Sequence, residues 1–186
     1  MQVLEASLIF YKYFILSQVI LVNSHDEPVG IMDKMEAHQT GMLHRAFSIF
    51  IFNSKGEMLL QQRATEKYHS GGLWTNACCS HPMPGEDTMV AADRRLMEEM
   101  GFKTTLQKTF SFIYKTGFDN GLTEHEVDHV FIGNYDDEIS PDPLEVCNYA
   151  FESMESVRDS INNKPHLYTS WFKIAFPKLE TYLASA

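Results

Sequence analysis

The stretch "DTMVAADRRLMEEMG", residues 87–101, is the clearest helix in the chain and the segment that decides the class of fold. Asp87 is suited to cap the helix, because its carboxylate can accept hydrogen bonds from the free N–H groups of the first turn. Gly101 can end the helix. Between them, apolar residues recur at helical spacing and predict one face that packs on a core: Met89, Ala92, Leu96 and Met100.

Strands are predicted on both sides of this helix. Upstream, "VILVN" (19–23) predicts a first strand closed by the turn "SHDEPVG" (24–30), and "AFSIFIFN" (46–53), "SKGE" and "MLLQQR" (58–63) predict a β-hairpin. Downstream, "TFSFIYKT" (109–116), the turn "GFDNG" and "TEHEVDHVFIGNY" (123–135) predict another hairpin, and "VCNYAFES" (146–153) predicts a further strand.

Two closing helices are predicted after the last strand. They are "SMESVRDSINN" (153–163) and "SWFKIAFPKLETYLAS" (170–185), the second interrupted or started by Pro177. Strands, a middle helix and terminal helices together predict an α/β fold, a mixed β-sheet sandwich with flanking helices. A length of 186 residues suits one domain. We expect that domain at residues 18–186, preceded by an N-terminal extension at 1–17 of uncertain role.

Composition excludes several classes of function. A formal charge of -10 argues against a nucleic-acid partner, which requires a basic surface. The apolar run "SLIFYKYFILSQVILV" (7–22) is interrupted by Lys12, Ser17 and Gln18 and is shorter than the ~20 apolar residues of a membrane span. It also lacks the basic start of a signal peptide. Three cysteines without regular spacing predict free thiols and a cytoplasmic location.

Five residues have the chemistry of metal ligands: His38, His44, His81, Glu124 and Glu126. Residues two apart in a strand point to the same face, so the two carboxylates can converge while His125 points away. Three imidazoles and two carboxylates suit a five- or six-coordinate divalent ion such as Mn²⁺, Mg²⁺ or Zn²⁺. The alternative is a solvated strand face and ordinary polar histidines.

The doublet Cys78 and Cys79 in "NACCSHPMPGE" (76–86) is not a zinc clasp or a redox pair, because both require two residues between the sulfurs. Adjacent residues of an extended chain face opposite ways. One thiol can therefore face a cleft as an acid or base while the other packs in the core, and the spacing does not say which.

Charged residues of the middle helix form i,i+4 pairs, Arg94 with Glu98 and Arg95 with Glu99, as is typical of a solvated helix face. Four basic residues adjoin the segments already described and could converge on a phosphate: Lys34, Arg63, Lys67 and Arg95. There is no glycine-rich dinucleotide loop after a strand, so no flavin or nicotinamide is expected.

These segments, in this order, resemble the type I isopentenyl-diphosphate Δ-isomerase family, which has a Nudix-like fold. The resemblance runs from about Val19 to Trp171 and is carried by five motifs: "KMEAHQTGMLHRAFSIFIFNSKGEMLLQQRA", "GLWTNACCSHPMPGE", "RRLMEEMG", "EHEV" and "SWF". It implies an enzyme that interconverts isopentenyl diphosphate and dimethylallyl diphosphate by protonation and deprotonation, through a carbocation-like state. The substrate would be a small prenyl diphosphate of isoprenoid biosynthesis, and the enzyme a monomer or homodimer.

The resemblance also implies a role for each site residue. His38, His44, His81, Glu124 and Glu126 would hold one tightly bound divalent metal, and Glu99 would hold a Mg²⁺ that arrives with the diphosphate. Cys79, not Cys78, would be the catalytic cysteine, with Glu126 as its counterpart. Tyr114 would assist Glu126, Trp171 would line the hydrocarbon end, and the four basic residues would contact the diphosphate.

The alternative is a Nudix-type diphosphate hydrolase. Residues 94–101 retain Arg94, Glu98, Glu99 and Gly101 of the Nudix box "RExxEExG", but Arg95 takes the place of a glutamate. Hydrolysis of this kind requires a carboxylate cluster to hold the metals and activate water. The degenerate box therefore weighs against the hydrolase.

Overall fold

The computed structural model describes residues 18–67 and 69–185, and the structural statements that follow concern those residues. The predicted extension at residues 1–17 lies outside them. The strands are β1 (Gln18–Val22), β2 (Pro28–Asp33), β3 (His44–Phe52), β4 (Met58–Arg63), β5 (Trp74–Asn76), β6 (Cys78–Ser80), β7 (Gln107–Gly117), β8 (Thr123–Asn134) and β9 (Val146–Glu152). The helices are α1 (Lys34–Thr40), α2 (Thr88–Met100), α3 (Met154–Asn163) and α4 (Ser170–Ser185).

Strand β3 is the centre of a mixed sheet. It runs parallel to β8 from the pair of His44 with Glu126 to the pair of Phe52 with Asn134. Strands β1 and β6 pair with β3 in the antiparallel sense. The sheet continues through β7 beyond β8 and through β2 beyond β1. Residues of β8 and β6 are thereby brought beside β3, and those of β7 beside β8, from distant parts of the sequence.

Both faces of β3 are buried, because helices cover the sheet on both sides. Phe47 and Ile49 point to one face and pack in a cluster that contains Leu96 of α2. Phe50 points to the other face and stacks on Phe172 of α4, with ring centroids 6.3 Å apart. This alternation follows from the two-residue period of a strand. The predicted α/β sandwich with flanking helices is confirmed.

The middle helix α2 has the predicted bounds and caps. Asp87 accepts hydrogen bonds from the backbone N–H groups of Met89 and Val90. Gly101 ends the helix at φ 78°, and a side chain there would meet the carbonyl oxygen of Ser140 at 2.1 Å. Only glycine fits that position. The predicted strand at 146–153 and the two closing helices are present as well, and α4 continues through Pro177.

The predicted hairpin of β3 and β4 is correct in its two strands, but they pair only beside the turn, at Phe52 with Met58. Strand β4 instead pairs with β9 and β5. The turn residues identify the connection between two strands, whereas the partners farther along depend on segments that are distant in sequence.

The segment between β1 and β3 holds structure that the sequence analysis did not predict. Strand β2 occupies part of the predicted turn, and the short helix α1 follows it. Asp33 caps α1, and Gly41 ends it at φ 64°. The helix carries Lys34 at its start and His38 in its last turn. None of the helices in the described ranges is long and apolar enough to cross a membrane.

Candidate metal centre and active site

One cavity collects most of the predicted site residues. It lies at the end of the sheet where β3 and β8 begin, and it extends from the strands towards α2. Its lining comprises Lys34, Arg63, Lys67, His69, Cys79, Ser80, His81, Arg95, Glu99, Glu124, Glu126, Glu145 and Trp171. Imidazoles, carboxylates and a thiol lie in it together with four basic side chains.

Three histidines surround one carboxylate oxygen at the base of the cavity. Oε1 of Glu126 lies 3.0 Å from Nε2 of His81, 3.3 Å from Nε2 of His44 and 3.9 Å from Nε2 of His38. One ligand atom from each of these four residues lies within 4.8 Å of the others. We call these four residues the His/Glu cluster. They come from α1, β3, the end of β6 and β8, so only the folded chain assembles them.

The hydrogen bond made by His44 shows that this cluster suits a cation. Nδ1 of His44 lies 2.8 Å from the carbonyl oxygen of Met42, which can only accept, so Nδ1 carries the proton of the neutral ring. The lone pair is then on Nε2, which faces both Glu126 and Nε2 of His81 at 3.2 Å. Lone pairs and a carboxylate that converge in this way repel one another unless a cation lies between them.

Protonation states in the cluster also favour a cation. Burial opposes the charge on Glu126, but the imidazoles of His38, His44 and His81 around it outweigh burial and hold the pKa of Glu126 well below its usual range. Burial lowers the pKa of His81 to about 4, although Glu126 acts in the other direction. At neutral pH an ionised carboxylate therefore faces a neutral imidazole, and these are the forms that bind metal ions.

Glu124 lies on the same face of β8 but outside the 4.8 Å group. Its Oε2 is 3.1 Å from the hydroxyl of Tyr114, and its Oε1 is 3.5 Å from Nε2 of His69. Burial and the charge of Glu126 raise the pKa of Glu124 well above its usual value. The predicted fifth ligand thus lies beside the cluster, in contact with Tyr114 and His69.

Tyr114 connects the two carboxylates. Its hydroxyl donates to Oε2 of Glu126 at 2.6 Å. The contact follows from the register of β7 and β8, in which Tyr114 is the direct partner of Glu126. Burial and the charge of Glu126 raise the pKa of Tyr114 well above its usual value, so the hydroxyl keeps its proton.

The neighbouring thiols face opposite sides of β6. Cys78 is fully buried in the cluster beneath α2, whereas Cys79 is partly exposed and lines the cavity. Burial raises the pKa of Cys79 well above its usual value, and the charges of Asp128 and Glu126 act in the same direction. The thiol that faces the cavity is therefore held in its protonated form.

The four basic side chains, which we call the basic cluster, lie at the other end of the cavity. Arg95 donates to Glu99 at 2.6 Å and to Glu145 at 3.2 Å, and Lys67 is paired with Glu145. Burial lowers the pKa of Lys34, with further lowering by the charges of Arg95 and Lys67. Closely spaced cations of this kind attract a multivalent anion.

Arg63 and Trp171 mark the boundary between the two ends. The guanidinium carbon of Arg63 lies 5.1 Å from the centroid of the Trp171 ring. Trp171 begins the buried part of α4 and is only 2% exposed. Glu99, the predicted Mg²⁺ ligand, lies in the last turn of α2 and accepts from Gln61 at 3.1 Å.

The structure brings every predicted site residue into or directly behind this cavity. His38, His44 and Tyr114 contact Glu126 from behind the lining. Sequence reasoning missed His69 and Glu145, which also line the cavity. The available signal for His69 was a histidine two residues before the glycine pair Gly71 and Gly72. Glu145 had no signal, because its contacts depend on Lys67 and Arg95, which are distant in sequence.

The comparisons with known proteins agree with the interpretation that the geometry of the site indicates. The family model described as "NUDIX domain" matches residues 42–172. A protein of Pectobacterium atrosepticum named isopentenyl-diphosphate Delta-isomerase is 48% identical over 167 residues, which are 90% of this chain and 93% of the relative. Isopentenyl-diphosphate Delta-isomerase 2 of Photorhabdus laumondii is 54% identical over 155 residues, 83% of this chain and 88% of the relative.

Solved structures share the fold at low sequence identity. The crystal structure of DR0079 from Deinococcus radiodurans superimposes with a TM-score of 0.73 at 16% identity and covers 87% of this chain and 98% of that one. A MutT protein from Methanosarcina mazei gives a TM-score of 0.61 at 18% identity, covering 75% and 94%. At these identities the likeness concerns the fold alone.

Proposed function

The chain belongs to the isopentenyl-diphosphate Delta-isomerases, within the Nudix domain family, and on that premise we propose the reaction and the role of each site residue. The reaction is the interconversion of isopentenyl diphosphate and dimethylallyl diphosphate. It moves a double bond by adding a proton at one carbon and removing one from another. A metal-dependent isomerase with these two substrates is what the curated relatives' names and the His/Glu cluster together support.

The observation that carries the proposal is a thiol and a carboxylate on the walls of the same cavity. Cys79 reaches the cavity from β6 and Glu126 from β8. The raised pKa of Cys79 keeps the proton on the thiol and the lowered pKa of Glu126 keeps the carboxylate ionised, so the thiol has a proton to give and the carboxylate can accept one. A reversible proton shift requires such a pair, and the two groups exchange roles in the reverse direction.

In the proposed mechanism, Tyr114 holds Glu126 by donating to Oε2, which leaves the carboxylate oriented towards the cavity. Trp171 faces the hydrocarbon part of the substrate with its electron-rich ring. Such a ring stabilises a developing cation by about 0.5–2 kcal/mol, depending on how dry the site is. Burial of the surrounding groups excludes water, which would otherwise capture the cation.

Substrate diphosphate is proposed to bind at the basic cluster. Arg95 and Lys67 are paired with carboxylates in the structure, and a diphosphate oxygen can replace Glu145 as their partner. Glu99 lies beside Arg95, and its carboxylate oxygens suit a Mg²⁺ that is carried by the diphosphate. Lys34 and Arg63 complete this end of the cavity.

The His/Glu cluster, with Glu124 beside it, is proposed to hold one tightly bound Mn²⁺, Mg²⁺ or Zn²⁺. The converging lone pair of His44 and the ionised Glu126 fit such an ion. When bound, the ion supplies positive charge that tunes the acidity of the groups around it. His38, His44 and His81 then orient Glu126, and Tyr114 holds its second oxygen.

The hydrolase is not favoured, because the curated relatives are named isomerases and the box carboxylates are incomplete. Arg95, in the place of a box glutamate, pairs with Glu99 instead of adding a ligand. The proposal extends to a cytoplasmic monomer or homodimer in which residues 18–186 form a single domain. The acidic charge and the free thiols support this setting.

The test is incubation of the purified protein with isopentenyl diphosphate and Mg²⁺ in D₂O, followed by NMR and mass spectrometry. We expect dimethylallyl diphosphate that carries deuterium, because the proton that is added comes from a group in exchange with solvent. Release of inorganic phosphate or a monophosphate would identify a hydrolase. Absence of any product from protein that has been loaded with Mn²⁺, Mg²⁺ or Zn²⁺ in turn would contradict catalysis.

A further inference from the structure

A buried chain of polar groups lies behind the Cys79 thiol and has no part in the proposed proton transfer. Glu124, Glu126 and Asp128 follow one another at two-residue spacing on β8 and therefore point to the same face. The first two face the cavity. Asp128 is 0% exposed and lies next along the strand, away from the cavity opening.

Ser48 of β3 is the side chain that meets Asp128. Its hydroxyl donates to Oδ2 of Asp128 at 2.8 Å, and both residues are fully buried. Within residues 18–67 and 69–185, the other oxygen of Asp128 has no hydrogen-bond partner. A buried carboxyl group is costly unless it is hydrogen-bonded, so the contact with Ser48 is the one that accommodates it.

Ser48 also reaches the reacting sulfur. In the register of β3 and β6, Ser48 is the direct partner of Cys79, and its Oγ lies 3.6 Å from the Cys79 Sγ. A hydroxyl has a single proton. The serine oxygen lies between the carboxyl group of Asp128 and the sulfur of Cys79, and either the hydroxyl or the thiol can donate in the second contact.

We infer that Ser48, anchored by Asp128, is a positioning residue that holds the Cys79 thiol in its place on the cavity wall. The inference rests on the proposed function, because it assigns Ser48 and Asp128 to the reaction through Cys79. A thiol makes weak hydrogen bonds, and its sulfur can rotate about the Cα–Cβ bond. Contact with a side chain that is itself fixed therefore limits the orientations that the Cys79 thiol adopts. The anchor is a buried carboxyl group, which cannot move without loss of its own hydrogen bond.

The chain offers a matched control at the far end of the same two elements. Ser54, just after β3, donates to Oδ1 of Asp136, just after β8, at 2.7 Å. This pair has the same chemistry and nearly the same sequence separation, but both residues are exposed and far from Cys79. Ser54→Ala and Asp136→Asn thus remove a serine–aspartate bond without affecting the thiol.

The experiment measures kcat and KM with isopentenyl diphosphate for wild type, Ser48→Ala, Asp128→Asn and the double variant, together with metal content and thermal unfolding. We expect Ser48→Ala to lower kcat about 10-fold while KM and metal content stay within about 2-fold, since one hydrogen bond to the reacting group is lost. Asp128→Asn should lower kcat less, and it should have no further effect in the Ser48→Ala background. The two control variants should match wild type.

Ser48→Thr provides a second test, because it keeps the hydroxyl group if alanine at this buried position prevents folding. We expect its kcat to lie between those of wild type and Ser48→Ala. If the alanine variant does not fold, the kcat of Ser48→Thr should lie between those of wild type and Asp128→Asn. Unchanged kcat in Ser48→Ala, or an Asp128→Asn effect that is equally large with and without Ser48, would overturn the inference. Wild-type protein without turnover would instead contradict the proposed function.

Discussion

At the end of the cavity that holds the His/Glu cluster, the charged groups come mainly from strands and are buried, whereas the basic cluster comes from two helices, a strand end and a loop and stays partly exposed. The side chain of Glu126 is 3% exposed, but those of Lys67 and Arg95 are 21% and 20% exposed. Groups on paired strands have fixed neighbours. Lys67 and Arg95 are instead held by ion pairs with Glu145 and Glu99, which an incoming anion can replace.

From this contrast in burial we infer that the two ends of the cavity serve different steps. A buried, hydrogen-bonded end is suited to proton transfer, because the reacting groups keep one orientation and one protonation state. A half-exposed end with exchangeable ion pairs is suited to capture a charged group from water. Changes at the first end should therefore reduce kcat, and changes at the second should raise KM. Variants at each end of the cavity test this expectation.

The largest effect is expected at Cys79. Cys79→Ala removes the proton donor and should lower kcat by about 10²–10⁴-fold, the usual contribution of general acid–base catalysis. Cys78→Ala is the control, because its sulfur lies in the core and should cost about 1 kcal/mol of folding free energy with most turnover retained. Steady-state kinetics and thermal unfolding measure both. The reverse pattern would show that the neighbouring thiol does the chemistry.

The next effect is expected at Arg95. Arg95→Leu removes a guanidinium that the proposal places on the diphosphate, and KM should rise about 10–100-fold, as for a lost charge-assisted hydrogen bond. Arg158→Leu, which removes the surface pair with Glu180, is a matched control that should leave KM unchanged. A fall in kcat at unchanged KM would show that Arg95 acts in proton transfer and would contradict the separate roles assigned to the two ends of the cavity.

His69 lies where the two ends of the cavity meet, so its replacement tests which of the two steps this side chain serves. It stacks on Phe118 at 4.8 Å, meets Trp171 at 5.7 Å and lies 3.5 Å from Glu124. His69→Leu should lower kcat about 10-fold with metal loss accelerated in the presence of chelator, since groups behind metal ligands commonly contribute this much. His166→Leu, in the exposed 3₁₀ turn, is the control. A change confined to KM would assign His69 to substrate binding.

The smallest effect concerns the loop that carries His81. Arg94 donates to both oxygens of Glu86 at 2.8 Å, and Glu86 accepts from Met83 N at 2.9 Å. Burial alone would raise the pKa of Glu86, but the hydrogen bonds from Arg94 and Met83 lower it below 4.5. This stabilisation is present above pH 4.5 and is lost as pH falls through the folded-state pKa.

Glu86→Gln should therefore be less stable than wild type by about 0.5–1 kcal/mol at pH 7, and the gap should shrink as the pH is lowered below 4.5. Urea unfolding at several pH values measures it, with kcat expected to stay near wild type. Glu180→Gln, at the exposed pair with Arg158, should show a smaller difference at every pH. A gap that widens in acid would contradict the assigned ion pair.

Much of the fold was predictable from local patterns. Asp87, the apolar spacing and Gly101 predicted the bounds of α2, since caps and periodicity act within a few residues. The strands β3, β7 and β8 followed from apolar and β-branched runs. Strand β2 and helix α1 were missed, because α1 is short and is stabilised by its contacts with neighbouring strands.

The candidate site divides in the same way. Residue types, the spacing of Glu124 and Glu126, and the family motifs were sufficient to name the predicted ligands and Cys79. The continuation of that spacing to Asp128 was visible in the sequence, but a carboxylate in a strand is equally typical of a solvated face. Only burial of Asp128 against Ser48 distinguishes the two.

The class of fold, the family and the chemical identity of the groups in the cavity could be read from the amino-acid sequence, because these depend on residue types and local spacing. Tertiary structure decided which groups meet. Pairing of β3 with β8 and β6 places Glu126, Ser48 and Cys79 beside one another, and Glu145 reaches Arg95 across 50 residues. Such contacts depend on strand register and burial, which arise only when the whole sheet has formed.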